Sequence, residues 1–188
     1  MAKKLTAEQQ EALNDQLHAA ADKGDVSAIK QALKDGAEID ARREFQNTPL
    51  FWAVRRGHLA AVRAMLEAGA EVDAQIDGLT PMHWAAVRGR KDAAKILLAA
   101  GADPTLQAPD QQGAPADCAR RDGYTDLANY LQSVVDDPTI RPRPKDVGLD
   151  IKKRNVALGK PVGIHTARAL AGMEAQRKAA LNDPSEGI

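Results

Sequence analysis

The sequence predicts an all-α fold, a solenoid of repeated helix-turn-helix units followed by a basic tail that holds one short helix. Three observations predict it. The stretches "TPLFWAVRRGH" (48–58) and "TPMHWAAVRGR" (80–90) say nearly the same thing 32 residues apart. Gly24, Gly57, Gly89 and Gly123 recur at spacings of 33, 32 and 34, and Gly36, Gly69 and Gly101 follow the first three by 12 residues each. Two glycine series in register at one period mark stacked units, each unable to bury its apolar face alone. Third, aromatics make up only 3% of the 188 residues although 44% are hydrophobic. A core so poor in rings must be built from Ala, Leu, Val and Ile, which suits thin helices packed closely.

Each element has a local reason. In the first unit, "TAEQQEALNDQLHAAADKG" predicts a long helix capped by Thr6. In the two middle units Thr48 and Thr80 are placed to accept an orphan backbone N–H, and Pro49 and Pro81 fit the first helical position, where no N–H is needed. About two turns later Gly57 and Gly89 break the helix, because glycine readily takes the φ > 0 conformation of a helix end. Leu59, Val62, Met65 and Leu66 then share one face at helical spacing, which predicts a second helix ended by Gly69, and Gly101 ends its counterpart. In "QIDGLTP" the pair Asp77-Gly78 is a strong turn signal before the next unit.

These residues closely resemble the ankyrin repeat family. The resemblance rests on the T-P-x-x-x-A cores at 48–53 and 80–85, on His83, and on the Gly-Ala-[DE] endings, and it covers about residues 15–133. Four repeats are counted. The first replaces Thr-Pro by Asp15-Gln16, and the fourth has Ala114 for the threonine. Gln31 stands where the inner units have Ala64 and Ile96, while Arg120 and Gln132 stand where they have Val54 and Leu66. Polar substitutions confined to the outermost units predict caps, since an end unit has one face without a neighbour. The expected organisation is a repeat body over 1–135, a Pro-rich basic linker over 136–163, and a short helix within 164–188.

Chemistry finds no support. His18, His58, His83 and His165 pair with no second ligand at a metal-binding spacing, and His83 matches a family histidine that hydrogen-bonds within the loops. Cys118 aligns with Trp52 and Trp84 and is expected to be a small packing residue, while the two tryptophans are expected to pack between neighbouring units. Gly159-Lys160 lacks the rest of a phosphate-binding loop. No enzyme activity, cofactor or metal is expected. A lone cysteine excludes an intrachain disulfide framework and fits a reducing compartment, so the expected location is cytoplasmic, with the nucleus or a host cell as other destinations. No secretory signal and no membrane span are expected.

Function is therefore expected on a surface. The resemblance places it on the concave side, made of turn tips and exposed first-helix residues. Carried over, these are Arg42, Arg43, Phe45 and Asn47; Ile76, Asp77 and Leu79; Arg55 and Arg56; Val87 and Arg88; and Arg121. Phe45, Ile76 and Leu79 are expected as apolar tips, and the arginines as a basic cluster on an acidic body. Residues 1–137 hold 16 Lys/Arg and 21 Asp/Glu, whereas 138–188 hold 10 and 5, so body and tail carry −5 and +5. Arginine and exposed apolar anchors are the usual carriers of interface energy. The expectation is a monomer that binds a protein with an acidic patch, as adaptor, inhibitor or effector. The tail run Lys152, Lys153 and Arg154 is a second contact. Nucleic acid or another anionic surface is the alternative partner.

Overall fold

The computed structural model describes residues 5–43, 47–109 and 112–150. Among these, eight α-helices form four pairs: α1 (Ala7–Lys23) with α2 (Val26–Asp35), α3 (Pro49–Arg56) with α4 (Leu59–Glu67), α5 (Pro81–Val87) with α6 (Lys91–Ala99), and α7 (Pro115–Arg121) with α8 (Thr125–Asp136). The first helices α1, α3, α5 and α7 pack side by side in one row. Helices α2, α4 and α6 form a second row behind it, and α8 closes the last pair on α7. One continuous apolar core, rich in alanine and leucine, runs between the rows through all four units.

The local chemistry explains the boundaries. Thr6 Oγ1 accepts the N–H of Gln9 at 3.2 Å while Gln9 Oε1 accepts that of Thr6 at 3.0 Å, so both orphan donors at the start of α1 are used. With Asp15 in place of Thr-Pro, nothing breaks α1, and it runs for 17 residues. Thr48 and Thr80 cap α3 and α5 through the N–H groups of Phe51 and His83. Ala114 has no hydroxyl to offer, and the Asp117 carboxylate instead accepts the Ala114 N–H at 3.0 Å. Gln31, Arg120 and Gln132 are exposed, as caps require, whereas Val54, Leu66, Ile96 and Leu98 in the inner units are fully buried.

A ladder of side chains fixes the register between units. Asp40 and Asp73 each accept, one unit on, the backbone N–H of Glu71 and Asp103, and Asn14 accepts that of Glu38 within the first unit. The Gly-Ala-[DE] ending recurs because its acidic residue sits where the amide must meet the preceding unit. Between the second and third units the chain makes a two-residue hairpin. Ile76 and Leu79 exchange both backbone bonds at 3.0 and 2.9 Å, and Asp77 and Gly78 both take positive φ, 51° and 77°, as a type I′ turn requires.

The chain does not leave the body after α8. Where an extended linker was expected, 3₁₀ turns form at Pro138–Ile140 and Pro144–Val147, and the segment folds back over the second-helix row. Arg141 Nη2 donates to the Ala102 carbonyl at 3.0 Å, Arg63 Nε to the Val147 carbonyl at 2.7 Å, and the Asp150 N–H to Glu67 Oε1 at 3.0 Å. Leu149 is buried in the common core. Prolines restrict the backbone without forbidding it to pack, and three anchors plus one apolar side chain bring this segment against α4 and α6.

Candidate binding face

The first-helix row and the tips beside it carry the residues singled out above. Arg55 and Arg56 lie in the last turn of α3, and Arg88 follows α5 as its C-cap. Cations belong at a helix C-terminus, where the backbone carbonyls point outward. The arginines are not equivalent, however. Arg43 pairs with Asp15 at 2.8 Å, Arg56 grips Asp22 with two nitrogens at 2.6 and 3.2 Å, and Arg121 lies 3.8 Å from Asp122. Arg42 Nη1 donates to the Gln75 carbonyl at 3.1 Å and so ties one tip to the next. Arg55 stacks its guanidinium over Trp52 at 5.2 Å and Phe51 at 5.9 Å. Among the described residues, neither Arg55 nor Arg88 meets a carboxylate within ion-pair distance.

Beneath these cations is a small aromatic cluster. Phe51 meets Trp52 edge-on at 5.1 Å and Trp84 of the next unit at 5.2 Å, geometries that ring quadrupoles favour. Trp52 and Trp84 are half-buried, and Phe51 is buried. Trp84 thus packs between units, as expected, while Trp52 meets Phe51, Arg55 and Arg56 of its own unit. Phe51 was not singled out, though the sequence carried a signal for it: it stands where the third unit has His83.

The tips need one correction. Ile76 is not an exposed anchor; only 4% of it is accessible, in the hairpin that it closes with Leu79. Pro109 packs so closely over Gly78 that an added Cβ would lie 2.5 Å from Pro109 Cδ. Leu79 and Val87 are half-buried, Asp77 is exposed at the turn, and Asn47 accepts the Arg43 N–H through its backbone. Phe45, with Lys152, Lys153 and Arg154 and the helix expected after Thr166, lies outside the described residues.

Histidines and the thiol serve the framework. His83 Nδ1 accepts the Thr80 N–H at 3.1 Å, which leaves Nε2 to donate to the Gly113 carbonyl at 3.3 Å. His18 repeats the outer bond to Ala41 at 2.8 Å. Burial pulls the pKa of both rings down, so they stay neutral donors. Cys118 is buried, burial pushes its pKa up, and its Sγ–H donates to the Gln112 carbonyl. It is therefore a poor nucleophile.

The family comparison agrees with this geometry: residues 17–108 match the family model for ankyrin repeats, in three copies. Those residues are ankyrin repeats. The chain's fourth helix pair extends the array beyond the matched residues. A search of curated proteins finds no match. Ankyrin repeats are in general protein–protein interaction modules without enzymatic activity, and this implies protein partners for the chain. Among the described residues, no helix is long and apolar enough to cross a membrane.

Proposed function

We propose that this chain is a non-enzymatic binding module whose first-helix face receives an acidic segment of another protein, in an adaptor, inhibitor or effector role. The observation that carries this is the contrast among the arginines. Arg43 and Arg56 are already neutralised by Asp15 and Asp22, whereas Arg55 and Arg88 stand on the same face with no carboxylate beside them among the described residues. Arg55 also lies over the half-buried Trp52 indole. A cation held against an aromatic ring has already lost much of its conformational freedom, so an incoming carboxylate gains more of the ion-pair energy.

The test uses a glutamate-rich peptide and amide NMR. We expect shifts at Arg55, Arg88 and the Trp84 indole. Replacing Arg55 and Arg88 together by Ala should weaken binding about fivefold or more, as the loss of one hot-spot side chain does, while lowering stability by only about 1 kcal/mol through the lost ring and helix-end contacts. Replacing Arg43 and Arg56 should weaken it less. Equal losses from the two pairs, or no loss from the first, would place the acidic contact elsewhere.

A further inference from the structure

In a plain stack of repeats each unit touches only its neighbours, so an end unit opens more readily than the units it caps. The fourth unit occupies such an end, and its second helix continues the row differently from the others. Helices α2, α4 and α6 pack one on the next, whereas α8 packs chiefly on α7 and on the 3₁₀ turn at Pro138–Ile140. From α6, Lys91 and Lys95 reach the Tyr130 ring of α8 at 5.6 and 6.0 Å. Cation–ring contacts open to water contribute little.

Residues 137–150 supply the missing join. The second 3₁₀ turn, Pro144–Val147, packs on α6. Arg141 stands where three units meet: it donates to the Ala102 carbonyl of the third at 3.0 Å. It is also within electrostatic reach of Asp73 of the second unit, Asp103 of the third and Tyr130 of the fourth. Farther on, α4 of the second unit holds the segment by its main chain. Arg63 Nε donates to the Val147 carbonyl at 2.7 Å, and Glu67 Oε1 accepts the Asp150 N–H at 3.0 Å. Leu149 is buried in the common core between them.

Both ends of the fourth unit are therefore held. Its start follows the third unit directly, and its end is fixed by Arg141, 39 positions beyond Ala102, and again on α4. Were the unit to open with these anchors in place, it would form a closed loop and not a free tail. A closed loop gains less conformational entropy on unfolding.

We propose that residues 137–150 are a tie that couples the fourth unit to the second, so that α8 opens only when the anchors on α4 let go. The coupling is a property of the stack and does not depend on the binding face proposed above.

Amide hydrogen exchange on the full chain reports the opening of each helix separately. Arg63→Ala removes an anchor that lies two units away from α8. It should nevertheless lower the protection of α8 about fivefold, as the loss of one hydrogen bond does. Ala60→Gly weakens the same helix at an exposed position outside the anchors. It should lower the protection of α4 and leave that of α8 unchanged. Leu149→Ala cuts the tie from its own side and should lower α8 protection about tenfold or more. Protection of α8 that survives both Arg63→Ala and Leu149→Ala would overturn the proposal. Equal losses at α8 from Arg63→Ala and Ala60→Gly would overturn it too, because the body would then open as one unit without help from the tie.

Discussion

In the two inner units a threonine hydroxyl caps each first helix, a proline occupies its first position, and apolar side chains face neighbours on both sides. The end units keep the helix pair but only part of that set: α1 is capped by Thr6 without a proline, and α7 keeps Pro115 without a threonine. The first has no Thr-Pro break and extends α1 instead; the fourth has Ala114 at the cap position and exposes Arg120 and Gln132. The glycines ending the first helices show the same divide. An added Cβ on Gly89 would fall 2.4 Å from the Tyr124 ring, whereas one on Gly123 would meet nothing within 4 Å. The repeated residues are those that touch a neighbouring unit, and where the neighbour is missing the pattern lapses.

The strongest test of that contrast is the pair Gly89→Ala and Gly123→Ala. Both positions have left-handed φ, 62° and 85°, which costs a residue with a Cβ about 1–2 kcal/mol. Only Gly89 adds a collision with the next unit, worth about 1–3 kcal/mol more. In urea unfolding, Gly89→Ala should therefore lose about twice as much stability as Gly123→Ala or more. Equal losses would mean that the close approach of Tyr124 is not what the inner glycine serves.

A smaller effect is expected at Asp73, which joins the second unit to the third near Arg141 of the folded-back segment. Burial, together with the nearby Asp103 and Glu71 charges, pushes its carboxyl up to about 6, against the Asp103 N–H and Arg141, which favour the ionised form. Because the folded pKa lies above the unfolded one, ionised Asp73 opposes folding at neutral pH, and that penalty fades as pH falls from about 6 toward 4. Asp73→Asn keeps an acceptor for the Asp103 N–H without the charge. It should stabilise the protein by about 1–3 kcal/mol at pH 7, and the gain should shrink by pH 4.5. The buried His18 and His83 change stability in the opposite sense over this range, since their lowered pKa values make acid unfavourable to the fold. Only the difference between wild type and variant isolates Asp73. A gain that stays constant with pH would show that its carboxyl titrates normally.

Much of the repeat body was legible because its determinants are local. Caps, breaks and the Asp77-Gly78 turn are written within a few residues of where they act, and the period displays them more than once. What was missed depends on distant partners. Ile76 looked like an exposed tip because its burial (4% accessible) is a property of the packed structure that the turn sequence around it does not display. The folded-back segment after α8 looked like a linker because its anchors join residues 39, 83 and 84 positions apart, and no short window of sequence holds both ends. The basic cluster was legible in composition but not in state, since Asp15 and Asp22, which neutralise Arg43 and Arg56, belong to the preceding unit.

The smallest expected effect restores an inner-unit feature to an end unit. Ala114 already has the backbone of a cap, φ −74° and ψ 166°, close to the −86° and 166° of Thr80, and Pro115 already follows it. Ala114→Thr would add a hydroxyl able to accept the Asp117 N–H, completing a reciprocal cap with the carboxylate that now accepts the Ala114 N–H. That Asp117 N–H already reaches the Ala114 carbonyl at 2.9 Å, so the hydroxyl shares a donor rather than rescuing one. The gain should therefore lie at the low end for a cap, about 0.5 kcal/mol, readable as a small rise in the urea midpoint with an unchanged slope. The reverse change, Thr80→Ala, should cost about 1 kcal/mol or more, because Thr80 is fully buried and also contacts His83 Nδ1 at 2.8 Å. If the two changes prove equal and opposite, the cap acts alone in both units. If Thr80→Ala costs clearly more, the excess measures what the threonine contributes through His83 to the join with the next unit.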